Sequence, residues 1–186
     1  MEQRRAEAFW AEISACDHFL QIYEGDDAFM DTLTGYIAGG LRAGEGAIVI
    51  ATLAHRQKLD ERLIAMGLDL IDAKECDQFI SLDAEEMLAK FAPGGWPDDQ
   101  LFTDIVTDLL RRAGRNGRKV RAFGEMVALL WANGHAGGTV RLEHLWHDLC
   151  AKEAFSLFCA YPKIGFTEHP KESLARVCAL HSKVLA

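Results

Sequence analysis

The hydrophobic and polar positions change rhythm along the chain, and the changes mark its elements. Ala6, Phe9 and Ile13 recur at helical spacing, so residues 1–15 are expected to form a leading helix against one domain spanning residues 16–186. Short runs rich in β-branched and aromatic residues follow at His18 to Tyr23, Ala47 to Thr52, Gln78 to Leu82, Lys119 to Phe123 and Phe155 to Tyr161. Each reads as a strand. Between them, Phe29, Leu33, Ile37 and Leu41, then Leu59, Leu63 and Met66, then Leu101, Ile105 and Leu109 fall at the helical period. Gly44 and Gly67 stand where helices should stop, and Asp83 with Glu86 reads as a capping box. The last stretch, LARVCALHSKV, reads as a helix carrying His181. Nearly continuous apolar strands alternating with helices predict an α/β fold of three layers, a mostly parallel sheet with helices on both faces.

Composition adds limits to this pattern. With 186 residues, 49% hydrophobic and 26% charged, the chain is long enough to bury one sizeable core. A net charge of −8 works against a phosphate backbone or an anionic membrane, so neither direct nucleic-acid binding nor membrane binding is expected. The local exception is Arg111, Arg112, Arg115, Arg118, Lys119 and Arg121, which reads as the solvated end of a helix. Five scattered cysteines without a C-x-x-C pair imply reduced thiols, and neither an export signal nor a spanning run of about 18 apolar residues is present. A soluble, cytoplasmic protein is the expectation.

Parallel α/β sheets bind ligands outside the carboxyl ends of their strands, which here carry Tyr23, Glu24 and Gly25, Thr52 and His55, Asp83, Gly124 and Glu125, and Tyr161 and Pro162. A nucleotide enzyme would place a glycine-rich loop with Lys after the first strand. This chain has Glu24-Gly25-Asp26-Asp27 there, whose carboxylates repel phosphate. No catalytic residue and no cofactor is therefore assigned. Glu125 opens a helix directly after a strand, where a carboxylate serves either as a ligand anchor or base, or as a structural cap. His144 and His147, beside Glu143, lack a third ligand, so no metal site is expected. Cys159 could pair with His18 or His181 as a thiol and imidazole, but inside FSLFCAY it reads as a small buried hydrophobe. Aromatic side chains would wall an apolar pocket, with Trp131 and Trp146 serving equally well as core. The candidate ligand site is His18, Tyr23, Glu125, Trp131 and Tyr161. The turn-rich stretch Pro93 to Asp98 is read either as a lid or as a plain connector carrying Trp96.

Five blocks, HFLQIYEGDDAF, FGEMVALLWANG, RLEHLWHDL, FSLFCAYP and RVCALHSKV, resemble in order those of the MEDS sensory domain, the family named for methanogen and methylotroph proteins and the dichloromethane dehalogenase repressor. The resemblance covers His18 to Val184. It implies a RecA/KaiC-like P-loop NTPase fold lacking Walker A, and GYIAGGLRAGEGAIVIAT looks like the unit after the phosphate loop in such ATPases. It also implies a sensor of hydrocarbon derivatives, commonly joined to a DNA-binding or kinase output domain. No such segment is seen here, so a separate kinase or transcription regulator is the expected partner, and a homodimer is compatible. The chain departs from the family at His147, where the pattern has Asn, so no polar role is carried to that position.

The combined expectation is a non-catalytic sensory domain binding a small, largely apolar organic ligand. The competing readings are a protein-interaction scaffold whose degenerate nucleotide site is filled by side chains, and a residual nucleotide-binding protein or enzyme.

Overall fold

Parity along each strand sorts the core into two layers. The computed structural model describes residues 17–165 and 181–185. The expected strands form as β1 (His18–Tyr23), β2 (Gly46–Ala51), β3 (Phe79–Asp83), β4 (Val120–Gly124) and β5 (Ser156–Pro162). A further strand, β6 (Lys183–Leu185), corrects the helix expected to run through Val184. It pairs with β1, Phe19 opposite Lys183, and those ladder bonds decide the conformation of Lys183 and Val184, whose local pattern is helical. The rest of that expected helix and the leading helix over residues 1–15 lie outside the described residues. The sheet runs β3-β2-β4-β5-β1-β6, parallel throughout.

Phe19, Ala47, Val49, Ala51, Phe79, Phe123, Phe158 and Ala160 face one layer, with α1 (Asp26–Arg42), α2 (Leu53–Ala65) and α3 (Leu70–Glu75). Leu20, Ile48, Ile50, Ile80, Ala122, Leu157, Cys159 and Tyr161 face the other, with α4 (Ala84–Phe91), α5 (Asp99–Ala113), α6 (Met126–Ala132) and α7 (Ala136–Glu153). The period of two turns consecutive apolar residues to opposite faces, which is why the strands read as unbroken apolar runs.

Phe29, Leu33, Ile37 and Leu41 are all buried along α1, as their spacing predicts. On α5 the buried stripe is Phe102, Val106, Leu109 and Leu110, while Leu101 is exposed, so the helix is rotated by about one position from the expected face. Gly44 and Gly67 adopt φ of 74° and 79° after α1 and α2, a left-handed turn that glycine enters without strain. Asp83 accepts from the amides of Glu85 and Glu86 and caps α4.

The basic stretch is largely paired within the protein. Arg112 and Arg115 meet Asp77, and Arg111 meets Asp108. Arg121 is buried rather than solvated, a correction to the helix-end reading: it lies on β4 and donates to Glu45 at 2.5 Å and to the carbonyl of Tyr36 at 3.0 Å. The stretch after α4 rests on α7. A Cβ at Gly138 would stand 1.9 Å from the carbonyl oxygen of Gly95, so two glycines permit the contact, while Trp96 next to it is 62% exposed. Among the described residues no helix is long and apolar enough to cross a membrane.

Candidate functional site

β2 leads through α2 and α3 to β3 on one side of the sheet, whereas its neighbour β4 leads through α6 and α7 to β5 on the other. The two connections leave in opposite directions and in opposite layers, the topology at which α/β sheets hold ligands. Glu125 sits at this switch point. Its amide donates to the carbonyl of Ile50 at 2.8 Å, tying the end of β4 to β2. Its carboxylate makes no capping bond to α6, so it is not a cap of its own helix. Instead it receives the amide of Thr52 at 2.8 Å and the Thr52 hydroxyl at 3.2 Å on Oε2, and His55 Nδ1 lies 2.8 Å from Oε1. Thr52 is the N-cap residue of α2, so the carboxylate stands where that helix presents its positive end.

The electrostatics agree with the geometry. The hydrogen bond that His55 donates to Glu125 holds the imidazole above its ordinary pKa, against the opposing effect of burial. Burial first, and then the charges of Glu125 and Asp26, push the Tyr23 hydroxyl up to about 12, so it remains a donor at neutral pH. Tyr23 stacks on Phe29 with ring centroids 4.7 Å apart, and Phe29 meets His55 edge-on at 5.0 Å. Polar anchors and an aromatic wall therefore share one corner of the carboxyl edge. Of the neighbouring acids, Glu24 pairs with Lys163 and Asp27 with Lys58, while the charge of Asp26 acts on Tyr23 and His55.

A second polar cluster lies inside the α4–α7 layer. Glu143, on α7 and fully buried, accepts from the Tyr161 hydroxyl on Oε1, while Oε2 faces His18 Nε2 at 3.7 Å and His181 Nε2 at 3.5 Å. Cys159 Sγ lies 3.4 Å from His18 Nε2. Burial lifts the Glu143 carboxyl to about 7, and burial together with Glu143 drives the Cys159 thiol well above its usual range. A thiol so displaced is not an activated nucleophile.

The model of the family described as MEDS, the MEthanogen/methylotroph, DcmR Sensory domain, matches residues 17–182. The chain belongs to the MEDS family. No curated protein matches it significantly.

In this MEDS domain the five candidate ligand residues do not form one pocket. Tyr23 and Glu125 share the carboxyl edge, whereas His18 and Tyr161 meet through Glu143 in the α4–α7 layer, because His18 points to the opposite face of β1 from Tyr23. Trp131 is half-buried on α6 against that same layer. Trp146 is core, edge-on to Phe102. A surface groove of about 340 Å³ beside the edge strand β3, lined by Arg56, Asp60, Lys74, Phe79, Asp77 and Arg112 among others, includes none of the five.

Two residues acquire importance only in the folded MEDS domain. His55 was visible as a residue after β2, but its partnership depends on β4 lying beside β2. In the sequence Glu143 stands out only as a neighbour of His144 and His147, both of which are exposed. The usable signal was its register: Thr139, Leu142, Glu143, Trp146 and Cys150 fall on one buried stripe, and an acid there must be partnered.

Proposed function

We propose that this MEDS domain is a non-catalytic sensor in the cytoplasm whose ligand, a small and largely apolar organic molecule, is read at the switch point between β2 and β4. The observation that carries the reading is the Glu125 carboxylate, buried at the carboxyl edge and holding both the first residues of α2 and the imidazole of His55. A ligand packed on Tyr23 and Phe29 and offering one polar atom would compete with His55 for Glu125. Releasing His55 frees the first turn of α2 to move, and a ligand shifts that equilibrium only by its differential affinity for the two arrangements. A separate kinase or transcription regulator would read the position of α2.

The internal strand β1 followed by α1, whose first turn carries Asp26 and Asp27, supports descent from a RecA/KaiC-like nucleotide fold that lost its phosphate loop. The second reading, a protein-interaction scaffold, is favoured by one fact: three donors within the protein already engage the Glu125 carboxylate.

A thermal-shift screen of small organic molecules against the wild type and Glu125→Gln separates the two. A matching ligand at about one hundred times its dissociation constant adds roughly 2.7 kcal/mol to stability, and Glu125→Gln should weaken it. A ligand whose affinity is the same in both proteins removes Glu125 from the site, and a scaffold would yield no ligand at all.

A further inference from the structure

Four chemistry-bearing side chains that the carboxyl edge does not use converge in the α4–α7 layer. They come from β1 (His18), α7 (Glu143), β5 (Cys159) and the residues just before β6 (His181), and their donor atoms all lie within 4.8 Å of one another. We propose that His18, Glu143, Cys159 and His181 bind a divalent d-block cation, with zinc the expected ion.

Three separations within the cluster suit ligands of one ion. A direct N–H to carboxylate hydrogen bond needs about 2.7–3.2 Å. The imidazole nitrogens stand at 3.7 and 3.5 Å from Glu143 Oε2, and Cys159 Sγ is 3.4 Å from His18 Nε2. Tetrahedral zinc, with bonds of about 2.0–2.3 Å, sets neighbouring ligand atoms about 3.3–3.8 Å apart. These three contacts match edges of that tetrahedron.

Charge and donor type point the same way. A thiolate and a carboxylate balance a dication, and histidines ligate as neutral imidazoles, so the filled centre carries no net charge into an apolar layer. Two nitrogens, one sulfur and one oxygen suit zinc, cobalt or iron(II), and not the all-oxygen shells of magnesium or calcium. Tyr161 donates to Glu143 Oε1 and leaves Oε2 turned to the imidazoles, the arrangement by which outer residues orient a ligand. Tyr161 is thus a positioning residue. Sequence spacing points to His144 and His147 as the metal candidate, and both are exposed on α7, whereas Cys159, His18 and His181 come together only through strand order. This centre shares no residue with the carboxyl-edge site, so either can fail without the other.

The test uses the whole chain, stripped by a chelator, shown to be folded by circular dichroism, and titrated under reducing conditions with Co²⁺ and then Zn²⁺. One equivalent of Co²⁺ should produce the intense visible bands of tetrahedral cobalt together with a thiolate-to-cobalt charge-transfer band, and one equivalent of Zn²⁺ should abolish both. Cys159→Ser should lose the charge-transfer band, and Tyr161→Phe should weaken Zn²⁺ binding by about 10–100-fold. Cys76→Ser and His144→Ala, both at exposed positions, should leave the spectrum unchanged. Because a substitution in a buried cluster can unfold the chain, zinc-edge X-ray absorption of the unaltered protein provides the second readout, with one sulfur and otherwise nitrogen or oxygen expected. The proposal is overturned by absence of saturable binding, by a charge-transfer band that survives in folded Cys159→Ser, or by a zinc shell without sulfur.

Discussion

His55 and Glu125, 70 residues apart in sequence, lie 2.8 Å apart across the gap between the ends of β2 and β4. The contact joins the first turn of α2 to the start of α6, two helices in opposite layers. It makes the switch point a mechanical connection between the two layers.

That connection has a defined pH dependence. Glu125 raises the His55 pKa above its ordinary value of 6.5, so the folded state holds the proton more tightly than the unfolded state. The stabilisation is fully present below about 6.5 and is lost as pH rises through the folded-state value. Urea unfolding of the wild type and His55→Gln at a series of pH values should show the stability gap widest on the acid side and narrowing on the alkaline side. A gap that does not vary with pH would show that the imidazole acts only by packing.

The loop after β1 should not hold a nucleotide. Gly25 precedes α1, Asp26 and Asp27 occupy its first turn, and an anion there would meet like charge at the helix end. Calorimetric titration with magnesium and ATP is expected to give no saturable heat, and micromolar binding would contradict this.

The two-layer core is testable by contrast. Phe158 is fully buried among Phe29, Tyr36 and Phe123, so Phe158→Ala should destabilise by about 3–5 kcal/mol. Leu101, on the solvent side of α5, should tolerate Ala within about 0.5 kcal/mol. Equal losses in chemical denaturation would mean that α5 is rotated from the face described.

Gly138 carries the contact between α7 and the loop that begins at Pro93. A methyl group there meets the Gly95 carbonyl at a separation no packed atoms sustain, so Gly138→Ala should destabilise by about 1–3 kcal/mol and expose the loop to protease. Unchanged stability and cleavage would show that the loop is free of α7.

The sequence revealed what repeats locally and missed what depends on strand order. The five apolar runs and the stripe from Phe29 to Leu41 were legible because period and burial coincide in them. β6 was not, since three residues carry too little pattern and its pairing with β1 decides its state. Tyr23 and Glu125 could be placed together because both follow strands. His18 could not be separated from them without knowing that its side chain turns to the other face of β1. Glu143 was obscured by two exposed histidines beside it, although an acid within the buried stripe of α7 is a physical signal that register alone supplies.

The most direct measurement of the sensor reading is a two-dimensional amide NMR titration of the labelled chain with a ligand identified by thermal shift. The Thr52 amide donates to Glu125 at 2.8 Å, and its resonance should report any change in that bond. The expected result is saturable shifts centred on Thr52, His55 and Glu125 and extending along α2. Saturable binding that leaves these resonances in place while moving others would contradict a ligand site at the β2–β4 switch point.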